Sequence, residues 1–139
     1  HPDMIIHLGD CWADAEQLHR KFPMTIMEQV PGNCDCRQDI LERILLIEGK
    51  KILICHGHTF NVKAGYLNLE YAAEERKVDA ALFGHTHRVF YDKHNRIAYM
   101  NPGSIGQPPY GIPPSYGVLQ VDGSSNTIAT DVIYLEENN

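Results

Sequence analysis

The chain has 139 residues, 43% of them hydrophobic, enough for a single domain with one core. Its 18 acidic residues outnumber 12 basic ones and give a net charge of −6, and no basic stripe is visible, which argues against a protein that grips nucleic acid by its backbone. No apolar run reaches about 18 residues and nothing near the start is laid out as a signal peptide, so no membrane span is expected and the cytoplasm is the expected compartment.

Taken in chain order, Asp3 to Leu8 is a short apolar strand and Ala13 to Phe22 has helical spacing, with Ala15, Leu18, His19 and Phe22 on one side. Thr25 to Val30 reads as a second strand, ended by Pro31-Gly32. Ile44 to Glu48 and Lys51 to Cys55 flank a Gly49-Lys50 turn and predict a hairpin. Val62 to Lys77 is a predicted helix, and Ala80 to Phe83 a short buried strand. Antiparallel strands then follow at Val89 to Tyr91, Ile97 to Met100, Tyr116 to Val121 and Ile128 to Leu135, with turns at 92–95 and 122–126. Parallel βα units followed by a meander predict an α/β fold, a two-sheet α/β/β/α sandwich spanning residues 1–139 as one domain.

Four of the apolar runs end alike. DMIIHL runs into Gly9-Asp10, TIMEQVP into Gly32-Asn33, KILIC into His56-Gly57-His58, and ALF into Gly84-His85-Thr86-His87. Ligands of open parallel sheets bind beyond the carboxyl ends of the strands, so Asp10, Asn33, His56, His85 and His87 are expected to form one cluster. Each glycine lets the backbone turn sharply off its strand. A donor set of carboxylate, amide and imidazole suits manganese, iron, zinc, nickel or cobalt better than calcium. Singly, each residue has an ordinary explanation: Asp10 as a helix cap, Asn33 as a left-handed loop residue, a lone histidine as a structural one. Concurrence decides for metal, since four of the eight histidines fall in two H-x-H units at strand ends.

The ordered set Gly9-Asp10, Gly32-Asn33, His56-Gly57-His58, Gly84-His85-Thr86-His87 and Asn101-Pro102-Gly103-Ser104 resembles the calcineurin-like metallophosphoesterases, in particular the small phosphodiesterases of the YfcE type. The resemblance implies two divalent transition-metal ions, manganese foremost and nickel, zinc, iron or cobalt as alternatives. It implies that Asp10 bridges them, that Asn33, His56 and His85 complete one shell, and that His87 serves the other ion. His58 is then the catalytic residue facing the phosphate, as a contact or as the acid for the leaving oxygen. Asp35 is expected to support a ligand or His58 from behind. Asp14, Asn101 and Ser104 fit that supporting part no better than a turn or cap. The implied substrate is a small-molecule phosphate ester, diesters before monoesters, with no nucleic-acid or membrane partner and a homo-oligomer left open.

Three features depart from the family pattern. No Asp-x-His pair precedes Asp10, so an N-terminal strand and helix are expected to be missing, which would leave this chain with one well-held ion at most and weak activity. Cys34 stands where larger relatives have a histidine acting on the leaving group. The loop Gly103 to Ser115, rich in proline and glycine, is either a rim of the substrate cleft or a stiff connection. A scaffold with this fold and no turnover, like the retromer-coat branch of the family, is the alternative function. The four cysteines (Cys11, Cys34, Cys36, Cys55) are expected to be reduced, because a one-residue gap between Cys34 and Cys36 suits neither a disulfide framework nor a structural zinc site. A zinc or redox site at that pair is the weakest reading.

Overall fold

The structure, a computed structural model, describes residues 1–36 and 40–136. Its elements run β1 (Met4–His7), α1 (Trp12–Lys21), β2 (Ile26–Gln29), β3 (Glu42–Ile47), β4 (Lys50–Cys55), a 3-10 turn (His58–Phe60), α2 (Leu67–Glu75), β5 (Ala80–Leu82), β6 (Val89–His94), β7 (Ile97–Pro102), β8 (Ser115–Asp122) and β9 (Thr127–Tyr134). This is the expected alternation, and the fold is mixed α/β.

A five-stranded sheet in the order β3-β4-β5-β7-β6 forms the centre, with β4, β5 and β7 parallel to one another. Strand alternation sorts its side chains onto two faces. Leu53 and Cys55 of β4, Ala81 of β5 and Ile97 and Tyr99 of β7 face Leu69 and Ala73 of α2. On the other face, Ile52, Ile54, Ala80, Leu82 and Met100 meet Ile6 from β1 and Leu119, Ile128 and Val132 from β8 and β9. Both cores are closed because β4 and β5 are apolar at every position from Ile52 to Cys55 and from Ala80 to Leu82, as strands buried on two faces must be.

The expected second sheet is divided. Among the described residues, β1 and β2 form a parallel pair, β8 and β9 an antiparallel pair, and no hydrogen-bond ladder joins them, so three sheets stand where two were predicted. The other difference is at α2, which begins at Leu67 and not Val62. Asn61 adopts φ 53° and Gly65 φ 153°, neither of them helical, and they break the chain between the 3-10 turn and the helix. Val62 keeps its apolar role, buried in the core under α2. No described helix is long and apolar enough to cross a membrane.

Candidate metal centre

The parallel strands bring their carboxyl ends to one edge, and His56, directly after β4, is the buried centre of what gathers there, with 2% exposure. Its Nδ1 lies 2.7 Å from the Leu8 carbonyl beyond β1. A carbonyl can only accept, so Nδ1 carries the proton, and Nε2 of the neutral ring presents a lone pair. Around that lone pair stand Asn33 Oδ1 at 3.0 Å, His85 Nδ1 at 3.1 Å and Asp10 Oδ2 at 3.5 Å. His85 can supply one proton to the group, but the amide and carboxylate oxygens have none to give. A cation would satisfy lone pairs crowded in this way, and nitrogen and oxygen donors together suit a divalent transition metal.

The approach depends on missing side chains. A Cβ on Gly9 would lie 2.6 Å from His56 Nδ1 and 2.8 Å from Gly32 N, so the loops after β1 and β2 touch backbone to backbone. Asp10, His85 and His87 all take left-handed backbone, at φ 64°, 68° and 60°. Non-glycine residues in that region cost about 1–3 kcal/mol each and persist where the surroundings over-determine them.

The model of the calcineurin-like phosphoesterase superfamily domain matches residues 1–124. The chain belongs to that superfamily. It is 35% identical over 128 residues to the probable metallophosphoesterase YsnB of Bacillus subtilis, covering 91% of this chain and 73% of YsnB. It is 30% identical over 114 residues to the phosphodiesterase YfcE of Escherichia coli, covering 82% of this chain and 50% of YfcE. Among solved structures, a conserved Streptococcus pneumoniae protein predicted to be a phosphoesterase superposes with a TM-score of 0.78 at 22% identity, covering 94% of this chain and 88% of the other. A zinc complex of Vps29 from Entamoeba histolytica superposes with 0.74 at 19% identity, covering 95% and 82%. Both structures speak to the fold.

Within this calcineurin-like domain, four of the five residues expected as ligands converge: Asp10, Asn33, His56 and His85. His87 does not join them. It is half-buried and, among the described residues, makes no hydrogen bond or ring contact with the cluster. The described residues hold no group of three or more His, Cys, Asp or Glu side chains set to grip an ion, so the centre is a converged donor set around Nε2 and not a finished cage. His58 stands beside it, its ring centre 5.3 Å from that of His56 and 6.1 Å from that of His85. Its Nδ1 is buried without a hydrogen-bond partner.

Among the described residues Asp35 makes no hydrogen bond to a ligand side chain or to His58. Its carboxylate accepts from three backbone N–H groups: Gly32 at 2.7 Å, Asp10 at 2.8 Å and Trp12 at 3.0 Å. Burial alone would raise its pKa, but those three donors outweigh burial and hold it below the usual carboxylate value of 3.8. Asn101, fully buried, braces the G-H-T-H loop by donating to the Gly84 carbonyl and to Thr86 Oγ1, each at 2.9 Å. Ser104 Oγ accepts from Gln107 N, a turn contact, and Asp14 lies in the first turn of α1, where a carboxylate suits the helix dipole. One residue of the site escaped the sequence reading. His7, in β1, accepts the Gly9 N–H on Nδ1 at 3.3 Å and helps shape the turn into Asp10. Its only signal was a polar residue near the end of an apolar run.

All four cysteines are free, as expected. Cys34 donates its backbone N–H to Asp10 Oδ1 at 3.0 Å, and the same carboxylate, with some burial, raises its thiol pKa and keeps it protonated. Burial pushes Cys55 up to about 12. Neither has the thiolate character of a redox or zinc-binding cysteine.

His56 and His85 are both held towards the neutral form, the form that binds metal. Burial, with help from His58, keeps His56 below 6.5 despite the Leu8 carbonyl and Asp10. Burial, then His56, Lys63 and His58, bring His85 down to about 4. An unfolded chain takes up the His85 proton near 6.5, whereas the folded one resists until about 4, so stability present above 6.5 drains away through that interval as pH falls. Thermal midpoints of the metal-free protein are expected to drop between pH 6.5 and 4, and His85→Ala should flatten the drop. An unaltered slope in the variant would refute this.

Proposed function

We propose that this domain hydrolyses phosphate esters, diesters in preference to monoesters, with divalent metal held at the strand-end cluster. The supporting observation is the lone pair of His56 Nε2 surrounded by Asn33 Oδ1, His85 Nδ1 and Asp10 Oδ2, a set that fits one ion. Asp10, Asn33, His56 and His85 would hold that ion, and His87 with a shared Asp10 a second. When bound, two such ions polarise a phosphoryl oxygen and supply a hydroxide for in-line attack, with manganese the favoured metal and nickel, zinc, iron or cobalt alternatives. The remaining work belongs to the protein. The Leu8 carbonyl fixes the His56 tautomer so that Nε2 faces the metal side. Asp35 holds the Asp10 backbone in place. His58, whose ring lies beside His56 and His85, would serve as proton donor to the leaving oxygen.

In the test, the protein is loaded with manganese and assayed on a generic aryl phosphodiester. Hydrolysis is expected, with Asp10→Asn and His85→Ala each lowering the rate. No turnover, or rates unchanged in both variants, would sink the proposal.

The separateness of His87 favours a second reading, a scaffold of the same fold without turnover. Metal titration separates them: tightly held manganese that His85→Ala abolishes speaks for the enzyme, and no tightly held ion speaks for the scaffold.

A further inference from the structure

A second cluster of charge lies at the opposite end of the central sheet. Lys50 begins β4, Asp79 precedes β5, Lys93 is near the end of β6, and Arg96 sits in the turn to β7. Together with Ala98, Asn126, Thr127 and Ile128 they line a cleft of about 160 Å³. It is separated from His56 by the length of β4, roughly 20 Å at about 3.3 Å per residue.

Three cations meet there in a chain whose net charge is −6. Among the described residues none of the three is in an ion pair, whereas Arg43 and Arg76 pair with Glu28 and Glu42. The lone carboxylate of the cleft is already engaged, because Asp79 Oδ2 accepts the Lys51 N–H at 2.8 Å. The excess is therefore two positive charges in a concave, largely polar space. Of the nearby carboxylates, Glu74 accepts from Asn95 Nδ2 at 2.7 Å, Asp122 accepts from Ser124 and Ser125 within its own turn, and Glu48 lies against Gly123 outside the lining of the cleft.

We propose that this cleft binds the phosphate group of a small molecule, or free phosphate, independently of the metal centre. A guanidinium offers a fork that matches two oxygens of one tetrahedral anion, and the two lysines add point charge. The volume admits one anionic group and falls short of the roughly 300–1,000 Å³ that encloses a whole drug-sized ligand. Three isolated cations are also too few for a nucleic-acid backbone, which is tracked by a stripe.

The test uses the 15N-labelled chain without metal, in EDTA, so that the strand-end cluster takes no part. Titration with inorganic phosphate is expected to move the amide signals of Lys50, Asp79, Arg96 and Thr127 along saturating curves, with a Kd of about 1 mM, while chloride at matched ionic strength leaves them in place. Lys93→Ala combined with Arg96→Asn should weaken binding at least tenfold. Asparagine is chosen because Arg96 has φ 65°, a conformation asparagine tolerates, so the turn keeps its shape. Glycerol phosphate in a parallel arm identifies the source: tighter binding than inorganic phosphate assigns the site to a monoester, weaker binding to the free ion. Equal shifts with chloride, no saturation, or an unaffected double variant would overturn the proposal.

Discussion

Replacing Gly32 by alanine is expected to cost the domain its candidate metal centre while leaving it folded. A Cβ at this position would lie 2.5 Å from the Asp10 backbone nitrogen and 2.8 Å from Asp10 Cγ, and would also press on Asp10 Oδ1. The first of these atoms is backbone, so no rotamer change relieves the overlap. The loop after β2 must retreat from the loop after β1, taking Asn33 with it and stretching the bond from Gly32 N to Asp35. Overpacking of this kind costs about 1–3 kcal/mol, which a core closed on both faces of the central sheet can absorb. The metal site cannot, because its donors stand 3.0–3.5 Å from one atom, His56 Nε2. Manganese affinity should fall about 10–100-fold, the loss typical when the support behind metal ligands is disturbed. Gly106→Ala is the matched control, with nothing within 4 Å of its added carbon. Gly32→Ala binding metal as tightly as the unaltered chain would mean that contact between these loops does not set the position of Asp10.

How much of this was legible in the sequence follows from which interactions are local. Strands β4 and β5 announced themselves because burial on both faces demands unbroken apolar runs, and the glycine after each run marked where the chain turns. Those two signals located Asp10, Asn33, His56 and His85 together. The start of α2 differs because Val62 is apolar at helical spacing, and that pattern outweighed Asn61 and Gly65, the two residue types that most readily leave the helical region. The left-handed backbone at Asp10, His85 and His87 was equally silent: the glycines drew attention to the turn, but the residues after them carry the strain. Whether β1–β2 and β8–β9 join into one sheet depends on hydrogen bonds across the molecule, which no local pattern encodes. The cationic cleft was hidden for the same reason, since Lys50 is distant in sequence from Lys93 and Arg96 and all three are diluted by an acidic total.

The same distinction applies to Asp35, and it leads to the other large effect. The sequence allowed a carboxylate supporting a ligand or His58; the structure has that carboxylate gathering the backbone N–H groups of Gly32, Asp10 and Trp12. This knot ties the two loops that Gly9 and Gly32 bring together, and it supports the left-handed turn at Asp10 from outside. Asp35→Asn is expected to destabilise the protein by about 2–3 kcal/mol, comparable to one hydrogen bond to a charged group and well below the sum of three, because the residue is only half-buried. For a chain of this size that lowers the thermal midpoint by roughly 10 °C. Manganese affinity should fall with it, again about 10–100-fold. The pH dependence distinguishes this account from a simple packing defect. The folded-state pKa of Asp35 is depressed below 3.8, so its stabilisation is complete above 3.8 and is lost as the pH falls through the folded value. The gap between the unaltered chain and Asp35→Asn should therefore be wide at pH 7 and narrow well below pH 3.8. A gap of constant width down to pH 2 would show that the charge on Asp35 is not what holds the two loops together.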